Sequence, residues 1–168
     1  MSEIIINKVA ESGLITLDLA DLVKSEQTAE LDLAPFLYEG LILREKEFRA
    51  KLTETDWSIY ANKWVAVYCS TDAIVQKWAW MLISKALIPY TQHFFYCKPE
   101  ELPQHILSEK LFALDASEYA DKRIVVKGCG EKYVTEKAYL DITKKLLPVV
   151  KTLMYGEPCS TVPIYKKK

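Results

Sequence analysis

The sequence is short of glycine, histidine and net charge, and each shortage removes a class of function. Five glycines and two histidines are spread over 168 residues. No glycine opens a phosphate-binding loop, which needs Gly followed five positions on by Gly-Lys-Ser/Thr. Gly128-Cys129-Gly130 follows a strand-like run, but position 133, where a dinucleotide fingerprint requires its third glycine, is Tyr133. A Ser-His-Asp or Cys-His arrangement would have to recruit His93, which reads as part of an apolar strand, or His105, which reads as part of an amphipathic helix. Asp18, Asp21 and Asp32 suit caps and turns as well as acid–base work.

Lys plus Arg number 22 against 23 Asp plus Glu, a net charge of -1. Duplex nucleic acid, which demands clustered positive charge, is therefore not an expected partner. Long apolar runs are missing too. Ile4-Ile5-Ile6 is too short for the apolar core of a signal peptide, and Trp78–Ile83 is cut off by Ser84-Lys85, far below the roughly 18–20 residues of a membrane span. The expectation is a cytoplasmic protein with no membrane partner, whose four cysteines are thiols or ligands and not disulfides.

Half of the residues are hydrophobic and 27% are charged, the composition of a folding chain. Length fits one domain over residues 1–168, and no internal repeat or second domain stands out. Residues 1–63 read as a strand at 14–19, a helix from about Pro35 to Leu52 capped by Asp32, and a polar connection holding Trp57 and Tyr60. Residues 64–154 read as repeated strand–helix units. The strands are Trp64–Tyr68, His93–Cys97 and Arg123–Lys127. A helix at Ala73–Leu87, apolar almost all round and capped by Ser70 or Thr71, follows the first strand. A helix starting near Pro99 follows the second, and one at Thr135–Met154, kinked at Pro148, follows the third. Residues 155–168, with two prolines and a glycine, read as an irregular tail. Strand–turn–helix order with apolar strands predicts an α/β fold, a mostly parallel sheet covered by helices on both faces.

That fold places Cys69 and Cys129 just after parallel strands, at the carboxyl edge where sites of α/β proteins form, and near helix N-termini that would favour the thiolate. Cys97 could share this edge. Cys159 lies between Pro158 and Ser160-Thr161, in a segment stiffened by proline. No pair has the CxxC spacing of a strong zinc signal. Two readings stay open: four separate small hydrophobes, or a shared site in which Cys69, Cys129 and Cys159 ligate a metal, zinc or an iron–sulfur cluster.

The segments Gly40-Leu41-Ile42-Leu43-Arg44-Glu45-Lys46, Cys69-Ser70-Thr71-Asp72-Ala73-Ile74, Lys127-Gly128-Cys129 and Met154-Tyr155-Gly156-Glu157-Pro158-Cys159-Ser160-Thr161-Val162-Pro163 resemble a bacterial family of domains of unknown function. The resemblance spans nearly the whole chain and includes Cys69, Cys129 and Cys159 but not Cys97. It carries no catalytic residue across. It implies an accessory role beside iron–sulfur cluster assembly, with iron–sulfur assembly proteins as partners. The alternatives are a non-enzymatic interaction module using Trp57, Tyr60 or Tyr165, with structural cysteines, and a metal-free persulfide or thiol carrier.

Overall fold

The computed structural model describes residues 13–128 and 130–168. Ile4–Ile6 and Cys129 thus lie outside the described residues. The chain folds as two compact units, one of residues 1–25 and 106–168 (unit 1) and one of residues 26–105 (unit 2).

Unit 2 is built on three short strands, β2 (Thr28–Asp32), β3 (Trp64–Tyr68) and β4 (Phe94–Tyr96), in that order and all parallel. Trp64-Val65-Ala66-Val67 is buried throughout, which is why the central strand reads as an unbroken apolar run. Val65 and Val67 share a buried cluster with Phe48 of the helix Glu45–Glu54 and with Ala79, Ile83 and Leu87 of the helix Lys77–Leu87. Parallel crossovers are overwhelmingly right-handed, so strands laid down in sequence keep their connections on one face. Beside Trp64 lies a ladder of stacked rings: His93 stacks on Trp64 at 4.1 Å, and Phe95 lies 6.0 Å from Trp64 and 5.1 Å from His105. Both histidines are thereby ring partners, His93 exposed and His105 half-buried.

Unit 1 begins with β1 (Leu14–Asp18) and the single turn α1 (Asp21–Lys24). After unit 2 it resumes at Ile106 within the helix Leu102–Ala113, then continues through a 3₁₀ turn at Ala116–Tyr119 to β5 (Arg123–Lys127), a helix at Glu136–Leu146, β6 (Thr152–Glu157) and β7 (Ser160–Lys166). The sheet order is β1-β5-β6-β7, with β1, β5 and β6 parallel and β7 antiparallel. In chain order the longer helices are α2 (Glu45–Glu54), α3 (Lys77–Leu87), α4 (Leu102–Ala113) and α5 (Glu136–Leu146). The parallel character expected from the strand–helix order holds, but the strands are divided between two sheets where the sequence suggests one, because β1 pairs with β5 and not with β2.

Four expectations are corrected. The helix expected over Pro35–Leu52 breaks into a 3₁₀ turn at Ala34–Phe36 and α2, because Glu39 and Gly40 take φ of 49° and 71° in a turn closed by a Tyr38–Ile42 bridge. The helix expected from Ala73 starts only at Lys77, after Gln76. Ser70 and Thr71 do not cap it, and Met81 is 72% exposed, so it buries one face only. The helix expected over Thr135–Met154 stops at Leu146 rather than kinking at Pro148, since the ring removes a donor the next turn needs. The residues beyond it form β6 alongside β5, and the expected irregular tail is a β-hairpin. Pro163, which has no N–H to donate, is tolerated because β7 is an edge strand.

An internal repeat, not apparent in the sequence, emerges from the hydrogen bonding. Asp56 accepts from the Ser58 N–H at 3.0 Å, and Asp115 accepts from the Ser117 N–H at 2.9 Å. Asn62 at φ 58° donates its N–H to Tyr90 O at 3.1 Å, and Asp121 at φ 54° donates to Val149 O at 2.8 Å. The spacing is 59 residues each time, from Asp56 to Asp115 and from Asn62 to Asp121, and it carries α3 onto α5, with Ile83 and Leu87 matching Ile142 and Leu146. The leading strands match at a different spacing. Leu33 N–H donates to Tyr68 O at 2.8 Å in unit 2, and Leu19 N–H donates to Lys127 O at 2.9 Å in unit 1.

Candidate functional site

At the carboxyl end of the β2-β3-β4 sheet the chain is pinned by one carboxylate. Asp32 ends β2 and accepts three hydrogen bonds, from Ala34 N–H at 3.0 Å, Ser70 N–H at 2.9 Å and the Ser70 hydroxyl at 2.6 Å. Burial pushes its pKa up, but the bonds from Ser70 and Ala34 together outweigh that and hold the carboxyl below its ordinary value. Asp32 thus ties the segment after β3 to the end of β2. Thr71 extends the tie: its hydroxyl donates to Gly40 O at 2.5 Å and stands 3.4 Å from the Cys69 sulfur. The left-handed turn at Gly40 is itself steadied by the Arg44 guanidinium, 3.3 Å over the Tyr38 ring.

Cys69 is half-buried and lines a cavity of about 420 Å³ with Tyr68, Ser70, Tyr96, Cys97 and Lys98. The Tyr68 hydroxyl donates to Glu30 at 3.2 Å, and burial followed by the Glu30 bond and charge push its pKa up. Cys97 is buried, and its thiol is pushed up by burial and then by the charges of Glu101 and Glu100. It is held as a protonated thiol. Glu101 also accepts from Lys98 N–H at 3.0 Å, which opens the turn into α4.

The cysteines therefore fall into different settings from those the sequence suggests. Cys69 sits at the carboxyl edge as expected, but the helix that follows its strand, α3, begins only at Lys77, eight residues further along the chain. Cys97, which the sequence allows at this edge but leaves out of the three-cysteine set, lines the same cavity as Cys69. Cys159 occupies the two-residue turn between the paired residues Glu157 and Ser160 of the β6–β7 hairpin in unit 1, exposed to solvent. Among the described residues no group of three or more His, Cys, Asp or Glu could hold a metal ion. Trp57 and Tyr60, proposed as exposed contact residues, are buried at 7% and 6% exposure, and Tyr165 is half-buried. Among the described residues of unit 2, Tyr96 and Tyr90 are the exposed large aromatics instead, Tyr96 much the more so. Aromatic character alone could not separate these residues, because a strand end and a buried turn use the same side chains.

Residues 3–167 match the family described as protein of unknown function DUF2480. The chain belongs to that family. No curated protein and no solved structure matches it. Family membership thus covers almost the full chain, and the chemistry of the site has to be argued from the residues themselves. Among the described residues no helix is long and apolar enough to cross a membrane.

Proposed function

We propose that this protein is a cysteine-dependent accessory factor of iron–sulfur or sulfur metabolism, whose thiols carry sulfane sulfur to iron–sulfur assembly proteins. The observation that supports it is the seat of Cys69: a half-buried sulfur at the carboxyl end of the central parallel strand, on a segment pinned by Asp32, facing a cavity of about 420 Å³. A donor persulfide entering there would be attacked at its terminal sulfur by the Cys69 thiolate. The new sulfur–sulfur bond forms at Cys69 as the donor's own breaks, and the donor leaves as a thiolate, so no outside oxidant is needed. Exposed Cys159 suits exchange with a protein partner.

Incubation with glutathione persulfide under anaerobic conditions, followed by peptide mass spectrometry, tests the reading. Addition of one sulfur atom at Cys69, lost in Cys69→Ser, is expected. No sulfur on any cysteine would overturn it. Zinc or iron bound after anaerobic purification, and lost in Cys69→Ser, Cys129→Ser and Cys159→Ser, would replace sulfur carriage with metal ligation.

A further inference from the structure

A second cavity in unit 2, of about 350 Å³, opens beside α3, contains no cysteine, and shares only Tyr96 with the lining of the Cys69 cavity. Its floor is apolar: Val67, Ile83 and Phe94, of which Val67 and Ile83 are 4% and 1% exposed. Its mouth is aromatic. Trp80 meets Tyr96 edge-on, with ring centroids 4.9 Å apart and planes at 76°, while Tyr96 stays 78% exposed. An apolar hole leading into the helix–sheet layer with an exposed ring at its entrance is the form of a small-molecule site, and the volume falls within the roughly 300–1,000 Å³ such sites occupy.

Charge selects the ligand. Lys77, the first residue of α3, lies on the rim and forms no ion pair with the described residues. Its ammonium and the positive end of the helix both favour an anion there. The repeat supplies an internal comparison. At the matching positions of unit 1, Tyr139 meets Tyr155 at 5.4 Å and 78°, but Lys77 is replaced by Glu136. The aromatic pair therefore belongs to the duplicated scaffold, whereas the cation is particular to unit 2.

We propose that this cavity binds a small carboxylate with an aromatic or branched apolar body, the body seated on Val67, Ile83 and Phe94 and the carboxylate on Lys77. Calorimetric titration with phenylacetate, and with neutral phenylacetamide as control, tests it. Saturable phenylacetate binding is expected, about tenfold tighter than phenylacetamide, which reflects one charge-assisted contact. Lys77→Gln, an exposed change, should bring phenylacetate down to the level of the amide. Ser84→Phe, on the cavity wall, should abolish both. Absence of saturable phenylacetate binding, equal binding of acid and amide, or binding unaltered in Lys77→Gln would overturn the proposal.

Discussion

Asp32 holds Ser70 twice, accepting from its N–H at 2.9 Å and from its hydroxyl at 2.6 Å across 38 residues of chain. Because the same carboxylate also takes the Ala34 N–H, Asp32→Ala leaves three donors without their partner. The loss should be about 1–2 kcal/mol of stability, reduced from the buried limit because the site is partly solvated. Chemical denaturation of the variant against the parent protein measures it.

The same bonds set an acid limb. The Asp32 pKa is lowered in the folded protein, so its contribution is fully present above the unfolded carboxylate value of about 3.9 and is lost as pH falls through the folded value. Asp56, Asp115 and Asp121 are lowered as well and act in the same direction. The wild-type melting temperature should therefore fall below about pH 4, and Asp32→Asn should show a shallower fall. Parallel acid limbs would exclude the assignment.

Thiol reactivity should follow burial. Cys159, exposed on its turn, should be alkylated first and half-buried Cys69 second. Cys97 should come last, since it is buried and its thiol is pushed up, and its rate should climb further into the alkaline range. Peptide mapping after timed alkylation with iodoacetamide reads the order directly.

Gly156 takes φ 117° where the hairpin pairs it with Thr161, and a Cβ there would stand 2.6 Å from Ser160 O. The blocking atom is backbone and cannot step aside. Gly156→Ala should cost about 1–3 kcal/mol. Gly13, at φ 63° with open space around it, should tolerate alanine better, and a comparison of the two melting curves checks the ranking.

Leu87 and Leu146 occupy matching places at the ends of α3 and α5, and both are fully buried. Either changed to alanine should cost about 2–5 kcal/mol, the range for a buried leucine whose site collapses only in part. Urea denaturation should reveal similar losses for the two if the units share one packing pattern.

Local pattern and non-local pairing divide the fold between them. Trp64–Tyr68 and Arg123–Lys127 were legible as strands to the residue, because Trp64–Val67 and Ile124–Val126 are short, continuous, mostly β-branched apolar runs, and both runs are buried. Ala138, Ile142 and Leu146 were legible as one helix face from their four-residue spacing. Val149, Val150 and Leu153 continue an apolar pattern that a helix could share, but Val149 and Val150 fall in the turn region before β6, and the parallel pairing of β6 with β5 decides for a strand at Leu153. That pairing also turns the Cys159 segment into a hairpin tip, and the end of β4 beside β3 brings Cys97 to the Cys69 cavity. The repeat is masked in the sequence because its leading strands recur after 14 residues, Asp18 to Asp32, and the rest after 59. Sequence by itself determined which stretches are strand or helix wherever burial leaves a period. Tertiary structure alone decided which edges meet, as when β1 pairs with β5 across the whole of unit 2, because backbone hydrogen bonds between distant strands leave no mark on neighbouring residues.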